Sequence, residues 1–131
     1  GTKYKELASQ IRSLNDLSGI PFIGLADGTG SRELYHRYFL SHGLMFAPDM
    51  EAATTDQMLT LVKSELGIAF LPQSMAQDAL ARGEIVQLHL QEIIPQRSIC
   101  LVYDHHRPLN TAARKFQQML TKAAPKCPEH R

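Results

Sequence analysis

The turn Asp27-Gly28-Thr29-Gly30-Ser31-Arg32 follows a strand-like apolar run and opens an amphipathic segment, which is the right context for holding an anion. A helix starting there presents unpaired N–H groups and the positive end of its dipole. The glycines let backbone come close to a ligand, and the Thr29 and Ser31 hydroxyls can donate. A second such start lies at Thr54-Thr55, where Thr54 with Gln57 three residues later forms a capping box. Gly30 is not followed by Gly-Lys-Ser/Thr, so the turn is not a Walker A loop, and its spacing is not G-x-G-x-x-G. Ser31 lacks the G-x-S-x-G setting of a nucleophile elbow, and no His–Asp pair is placed to activate it. A flexible turn followed by an ordinary N-cap fits the same residues equally well.

The other reactive side chains carry less. His105 and His106 end a strand-like run, and with Cys127 and His130 they could be imagined around a metal. Their spacing matches no zinc motif, and solvated loop histidines are the simpler interpretation. His36, His42 and His89 fall on an exposed helix position, a helix end and an exposed strand position. Tyr35, Tyr38 and Phe39 recur at core spacing, which favours packing over base stacking. No pair of carboxylates stands out as an acid–base couple, so the expectation is a protein without catalytic chemistry and without a metal or other cofactor.

These groups must be positioned by the elements around them. Residues 54–72, TTDQMLTLVKSELGIAFLP, organise the chain. Met58, Leu59, Val62 and Leu66 make one helical stripe, after which Gly67-Ile68-Ala69-Phe70-Leu71 reads as a strand buried on both faces and closed by Pro72. Upstream, residues 3–10 are polar and ambiguous, and Ser13 caps a short helical turn that Gly19 stops. Residues 21–25 form a buried strand. Ser31 opens a helix with Leu34, Tyr35, Tyr38 and Phe39 inward, and Gly43 ends it. A short strand, residues 50–53, runs into the Thr54 helix. Ser74 with Gln77 repeats the capping-box signal for a helix ending at Gly83. Val86, Leu88 and Leu90 then alternate with Gln87, His89 and Gln91 in a strand at a sheet edge. Residues 97–103 form a further strand, residues 110–122 a helix with Ala113, Phe116 and Leu120 on its packed face, and residues 124–131 a disordered tail. Strands and helices that alternate over short connections make an α/β fold, a mostly parallel sheet flanked by helices on both faces. Ligands bind such sheets at the carboxyl ends of the strands.

Composition narrows the function classes. At 131 residues the chain is long enough to bury a core without staples, and 44% hydrophobic and 21% charged residues are ordinary for a soluble globular chain. A net charge of +1 leaves little electrostatic footprint for nucleic acid. No apolar run approaches the roughly 20 residues that span a bilayer, so no membrane role is expected. Two cysteines, Cys100 and Cys127, make no disulfide framework and fit a reducing cytoplasm. No signal peptide opens the chain, and Gly1-Thr2-Lys3 reads as a remnant or a mid-protein cut.

Several of these runs together resemble a family. Leu17-Ser18-Gly19-Ile20-Pro21-Phe22-Ile23, Thr29-Gly30-Ser31-Arg32, Leu61-Val62 and Leu66-Gly67-Ile68-Ala69-Phe70-Leu71-Pro72 are similar to the effector-binding domain of LysR-type transcriptional regulators. Ile94-Pro95-x-Arg97-x-Ile99-x-Leu101-Val102-Tyr103 and Ala112-Ala113-x-x-Phe116 look like that domain's C-terminal end. The resemblance covers about residues 7–120, and its most specific element is Leu-Gly-Ile-Ala-x-Leu-Pro. It implies one lobe of a type 2 periplasmic-binding-protein-like fold, a sensor whose two α/β lobes close on a small effector, often an anion. The second lobe would be residues 17–96, and residues 97–123 a hinge strand and a helix returning to the first lobe. The winged helix-turn-helix, the linker helix and most of the first lobe would precede Gly1, so DNA would be contacted only through that absent domain. The resemblance assigns the effector to Thr29, Gly30, Ser31 and Arg32 at one helix start and to Ala53, Thr54 and Thr55 at the next. For Arg32 an ordinary surface charge is the favoured alternative, since residues in a first helical turn often point outward. The family commonly has Gly where this chain has Glu65, which takes a left-handed conformation less cheaply. With the first lobe absent, apolar surface around Ile99, Leu101 and Phe116 would be exposed, which predicts self-association. A solute-binding-protein fragment and a small α/β enzyme are the competing expectations.

Overall fold

Three helices in this chain end in the same hydrogen-bonded turn, and that turn sets the lengths of the α/β units. The computed structural model describes residues 4–97, 100–104 and 106–123. In chain order the elements are α1 (Lys5–Ala8), β1 (Ile11–Arg12), a 3-10 turn (Leu14–Leu17), β2 (Ile23–Leu25), α2 (Gly30–Ser41), β3 (Met50–Ala52), α3 (Thr55–Lys63), α4 (Gln73–Ala81), β4 (His89–Leu90) and α5 (Thr111–Ala123). The chain divides into two compact units, Gly1–Pro95 and Gln96–Arg131. The expected tail, with Cys127 and His130, and the residues Ser98, Ile99 and His105 lie outside the described residues.

In the first unit β2 and β3 pair in parallel, with Ile23 opposite Met50, Gly24 opposite Glu51 and Leu25 opposite Ala52. On the other side of β2, Ile68 bridges Phe22, its N–H donating to the Pro21 carbonyl at 2.9 Å and its carbonyl accepting from Ile23 at 2.8 Å. Alternation along β2 sends consecutive side chains to opposite faces. Phe22 meets Phe39 and Phe46 edge-on, with ring centroids 5.9 and 5.2 Å away, and Phe70 at 5.5 Å. Tyr35 stacks on Phe70 at 4.4 Å, so α2 covers this face. Ile23 turns to the other face and packs with Ala52 and Met58, which α3 supplies. A smaller cluster of Ala76, Ala79 and Ile85 seats α4. Lys63 lies 2.7 Å from Glu84, and Arg82 3.0 Å from it. The Lys63 hydrogen bond, helped by the nearby Arg82, holds the Glu84 carboxyl below the usual carboxylate range.

The ladders are shorter than the apolar runs imply. Residues 67–71 make only the Ile68 bridge, and Pro21, without an N–H, cannot extend the pairing back toward Leu66. Residues 85–90 pair only at His89–Leu90, in parallel with β1, although Val86, Leu88 and Leu90 do pack on the aromatic cluster. The run 3–10, ambiguous in sequence, holds α1, and β1 follows it directly at Ile11–Arg12. Helix α4 starts directly after Pro72, whose φ of −58° is already helical, so Ser74 sits inside the first turn and caps nothing.

In the second unit, no strand forms among the described residues 97 and 100–103, and Leu101, Val102 and Tyr103 are exposed. Helix α5 carries its apolar stripe, but no residue of it is buried, and Phe116 is 57% exposed. The stripe marks a packing face without being packed.

At the ends of α2, α3 and α4 the same Schellman pair of bonds recurs: Gly43 to Leu40 with Leu44 to Phe39, Glu65 to Val62 with Leu66 to Leu61, and Gly83 to Leu80 with Glu84 to Ala79. Gly43 and Gly83 take φ of +72° and +69°, as the motif requires, and Glu65 is forced to +60°. A side chain in this region costs about 1 kcal/mol that glycine avoids, partly offset by glycine's freer unfolded chain. Glu65→Gly is therefore expected to stabilise the protein by about 0.5–1 kcal/mol, read as a higher urea midpoint with an unchanged slope. A lower midpoint would show that the Glu65 side chain contributes more than the turn costs.

Candidate functional site

Two helices begin side by side because the two strands that feed them are neighbours. The parallel β2–β3 ladder continues past its last pair, with the Ala26 N–H donating to the Ala52 carbonyl at 3.1 Å. Both connections therefore leave the same carboxyl-end rim, and α2 and α3 start along it. Thr29 is the N-cap of α2: its hydroxyl oxygen accepts from the Arg32 N–H at 3.2 Å and its proton goes to the Ala26 carbonyl at 3.0 Å. The helix thus starts earlier than the Ser31 opening suggests. Thr54 caps α3, its hydroxyl oxygen accepting from the Gln57 N–H at 3.3 Å. The Gln57 carboxamide oxygen in turn accepts from the N–H of Ala53, not from that of Thr54, at 3.0 Å.

This accounting decides which groups remain to meet a ligand. The Thr29 proton, the third-position N–H groups of both helices and the Ala53 N–H are already used. The N–H groups of Gly30 and Ser31 on α2, and of Thr55 and Asp56 on α3, have no acceptor within their own helices. The Thr54 hydroxyl uses its oxygen as a cap and keeps its proton. Among the described residues Ser31 is the one polar residue in the buried class, at 7% exposure, and its hydroxyl is not among the enclosed side-chain atoms left without a partner. Its place in the first turn of α2, beside N–H groups with no acceptor in the helix, makes Ser31 the most informative of the seven residues. Gly30, Ala53 and Thr54 are exposed, and Thr29 and Thr55 half-buried.

Arg32 is not an ordinary surface charge. Its side chain is 16% exposed, with Nη1 donating to the Leu25 carbonyl at 3.3 Å and lying 3.5 Å from Glu51. Its guanidinium carbon is 5.3 Å from the centre of the Phe46 ring. Glu51 was not singled out from sequence. The available signal was its position in β3, where alternation turns it away from buried Ala52 toward the α2 side.

A cavity of about 390 Å³ lies elsewhere in the first unit, between residues 67–71, α4 and residues 85–90. Its walls include Phe22, Ile68, Phe70, Leu80 and Leu88; none is charged, and none of the seven candidate residues contributes. Its polar lining is neutral, Tyr4 with Gln73, Gln77 and Gln87, so the positive helix ends with their free N–H groups suit an anion better than this space. His42 lends its Nδ1 to the Tyr38 carbonyl at 2.8 Å, and among the described residues no three His, Cys, Asp or Glu side chains gather around a metal-sized space.

Comparison with known proteins agrees with the fold. The LysR substrate binding domain family matches residues 5–125. The chain is 33% identical over 108 residues to the HTH-type transcriptional regulator CbbR of Cereibacter sphaeroides, covering 82% of this chain and 35% of that protein. It is 26% identical over 108 residues to the RuBisCO operon transcriptional regulator of Acidithiobacillus ferrooxidans, with the same coverage of 82% and 35%. It is also 26% identical over 104 residues to the uncharacterized HTH-type transcriptional regulator YeiE of Escherichia coli (strain K12), 79% of this chain and 36% of that one. The chain thus spans about a third of the length of these curated relatives. With parallel strands covered by helices on both faces, it belongs to the LysR substrate binding domain family, whose fold is periplasmic-binding-protein-like.

Proposed function

We propose that this chain is the effector-sensing part of a LysR-type transcriptional regulator, and that it holds a small anionic inducer at Thr29, Gly30, Ser31 and Arg32 and at Ala53, Thr54 and Thr55. In the whole regulator, occupancy of this site would control DNA binding by an N-terminal helix-turn-helix. The observation that supports this most is the pair of helix starts that leave the same rim of the β2–β3 ladder, with free N–H groups beside the largely buried residue Ser31. Hydrogen bonds to a charged group contribute about 1.5–3 kcal/mol each, so a few of them on one lobe suit millimolar binding. The regulator reading ranks above a solute-binding protein or an enzyme because the matching family and relatives are regulators. The exposed apolar stripe of α5, with Leu101 and Val102, supports self-association in the same reading.

Titration of the chain with inorganic phosphate, followed by amide NMR, tests the site. Shifts are expected at Gly30, Ser31, Thr55 and Asp56, with a dissociation constant of about a millimolar. Ser31→Ala and Thr54→Val should each weaken binding about tenfold, one charged hydrogen bond's worth. In the complete regulator the same two variants, and Thr29→Val, should need more inducer for a given response. Unchanged response in all three folded variants would place the effector elsewhere and leave these residues as caps.

A further inference from the structure

Arg32 reaches more of the surrounding framework than any other candidate residue. Its backbone N–H is held by the Thr29 hydroxyl at 3.2 Å, which fixes it in the first turn of α2. From there the side chain crosses to the carboxyl end of β2 at Leu25 and to Glu51 on β3. The same guanidinium lies over Phe46 in the segment leading to β3. Room for this crossing exists because residue 24 is glycine: a Cβ there would lie 3.0 Å from Arg32 Nη1 and 2.5 Å from Pro48 Cγ. Strand β3 runs almost at once into α3, so whatever holds α2 to β3 also sets the spacing of the two helix starts.

We propose that Arg32 is a positioning residue: it ties the start of α2 to the ends of β2 and β3 and so fixes the Gly30 and Ser31 N–H groups relative to those of Thr55 and Asp56. This rests on the effector site proposed above and gives Arg32 a different part in it. A ligand arginine would present its charge to the anion. Here the charge is met by Glu51, Nη1 is held by the Leu25 carbonyl, and the guanidinium lies over a ring face. A planar guanidinium spans those partners at once, and the compact ammonium of lysine does not.

The test compares Arg32→Lys and Arg32→Met with the parent 131-residue chain. Without any anion, amide ¹⁵N relaxation at Gly30 and Ser31 should show order parameters near about 0.85 in the parent and clearly lower in both variants. With inorganic phosphate as the probe, both variants should bind about threefold or more weakly, with the shifts of Thr55 and Asp56 reduced together with those of α2. If Arg32→Lys binds as the parent does while Arg32→Met fails, Arg32 is a charge ligand and the proposal is overturned. Order parameters unchanged in both variants overturn it as well, whatever phosphate does. Absence of phosphate shifts in the parent would sink the site reading alone; the relaxation comparison then decides the positioning role by itself.

Discussion

Phe22→Ala is expected to destabilise the protein by about 3–5 kcal/mol, the range for removing a buried phenyl ring. The ring is 8% exposed and stands where three others converge, Phe39 and Phe46 meeting it edge-on and Phe70 tilted. Truncation would open a cavity that these planar neighbours fill poorly, because each is already fixed by further contacts. Phe39 packs against Phe46 at 4.9 Å and Phe70 is stacked on Tyr35 at 4.4 Å. The backbone at Phe22 would survive the change, since its N–H donates to Asp49 at 2.7 Å and its carbonyl accepts from Asp49 and Met50. The loss is therefore one of packing, and domains of this size have only about 5–15 kcal/mol in total. Urea denaturation should show a large drop in midpoint with little change in slope. Met45→Ala, at a residue 78% exposed, should stay within about 0.5 kcal/mol of the parent. A loss at Phe22 below about 1.5 kcal/mol would mean that the aromatic cluster closes over the gap.

What could be read in the sequence follows the range over which each interaction acts. Caps and helix ends are local, so Thr54, Gly43 and the Met58, Leu59 and Val62 stripe of α3 were legible, and with them the alternation of strand and helix; Leu66, counted in that stripe, lies past the helix end and is exposed. The start of α2 was misplaced because Thr29 and Ser31 are both competent caps, and only the position of the Ala26 carbonyl selects Thr29. Gln57 was the right residue, but its partner is the Ala53 N–H. The strand lengths were overstated for a different reason. An apolar run reports burial, whereas a ladder needs a paired N–H at every other residue, and side-chain burial alone does not supply one. The same gap hid the work of Arg32. Its partners Leu25, Phe46 and Glu51 come from separate segments brought together by the fold. In α5 the period was legible and the packing was not, because a stripe says which face seeks a partner but not which partner is present.

Gly67→Ala carries the second large effect, and it lies two residues from Glu65, where the expected sign is opposite. At Glu65 the backbone asks for glycine and has a side chain; at Gly67 the surroundings leave no room for one. A Cβ at residue 67 would fall on the Pro21 carbonyl oxygen, 3.1 Å from the carbon of that group and 3.2 Å from Ile23 Cγ1. The obstruction is backbone, so no rotamer change relieves it. That carbonyl oxygen accepts the Ile68 N–H at 2.9 Å, one of the two bonds that join this segment to β2. To admit the methyl group, the segment must move off β2 and strain or break that bridge. Overpacking of this kind costs about 1–3 kcal/mol, and a buried N–H left without its acceptor adds about 1–3 more. The stiffer unfolded chain of alanine returns about 0.4–1 kcal/mol. The net expectation is a loss of about 2–4 kcal/mol in urea denaturation, with faster amide exchange at Ile68 and Ile23 as the local signature. Loss of protection at those two amides with a small global effect would show that the bridge opens alone. Protection retained, with stability within about 0.5 kcal/mol of the parent, would mean that the segment tolerates a side chain and that the close approach at Pro21 does not hold it in place.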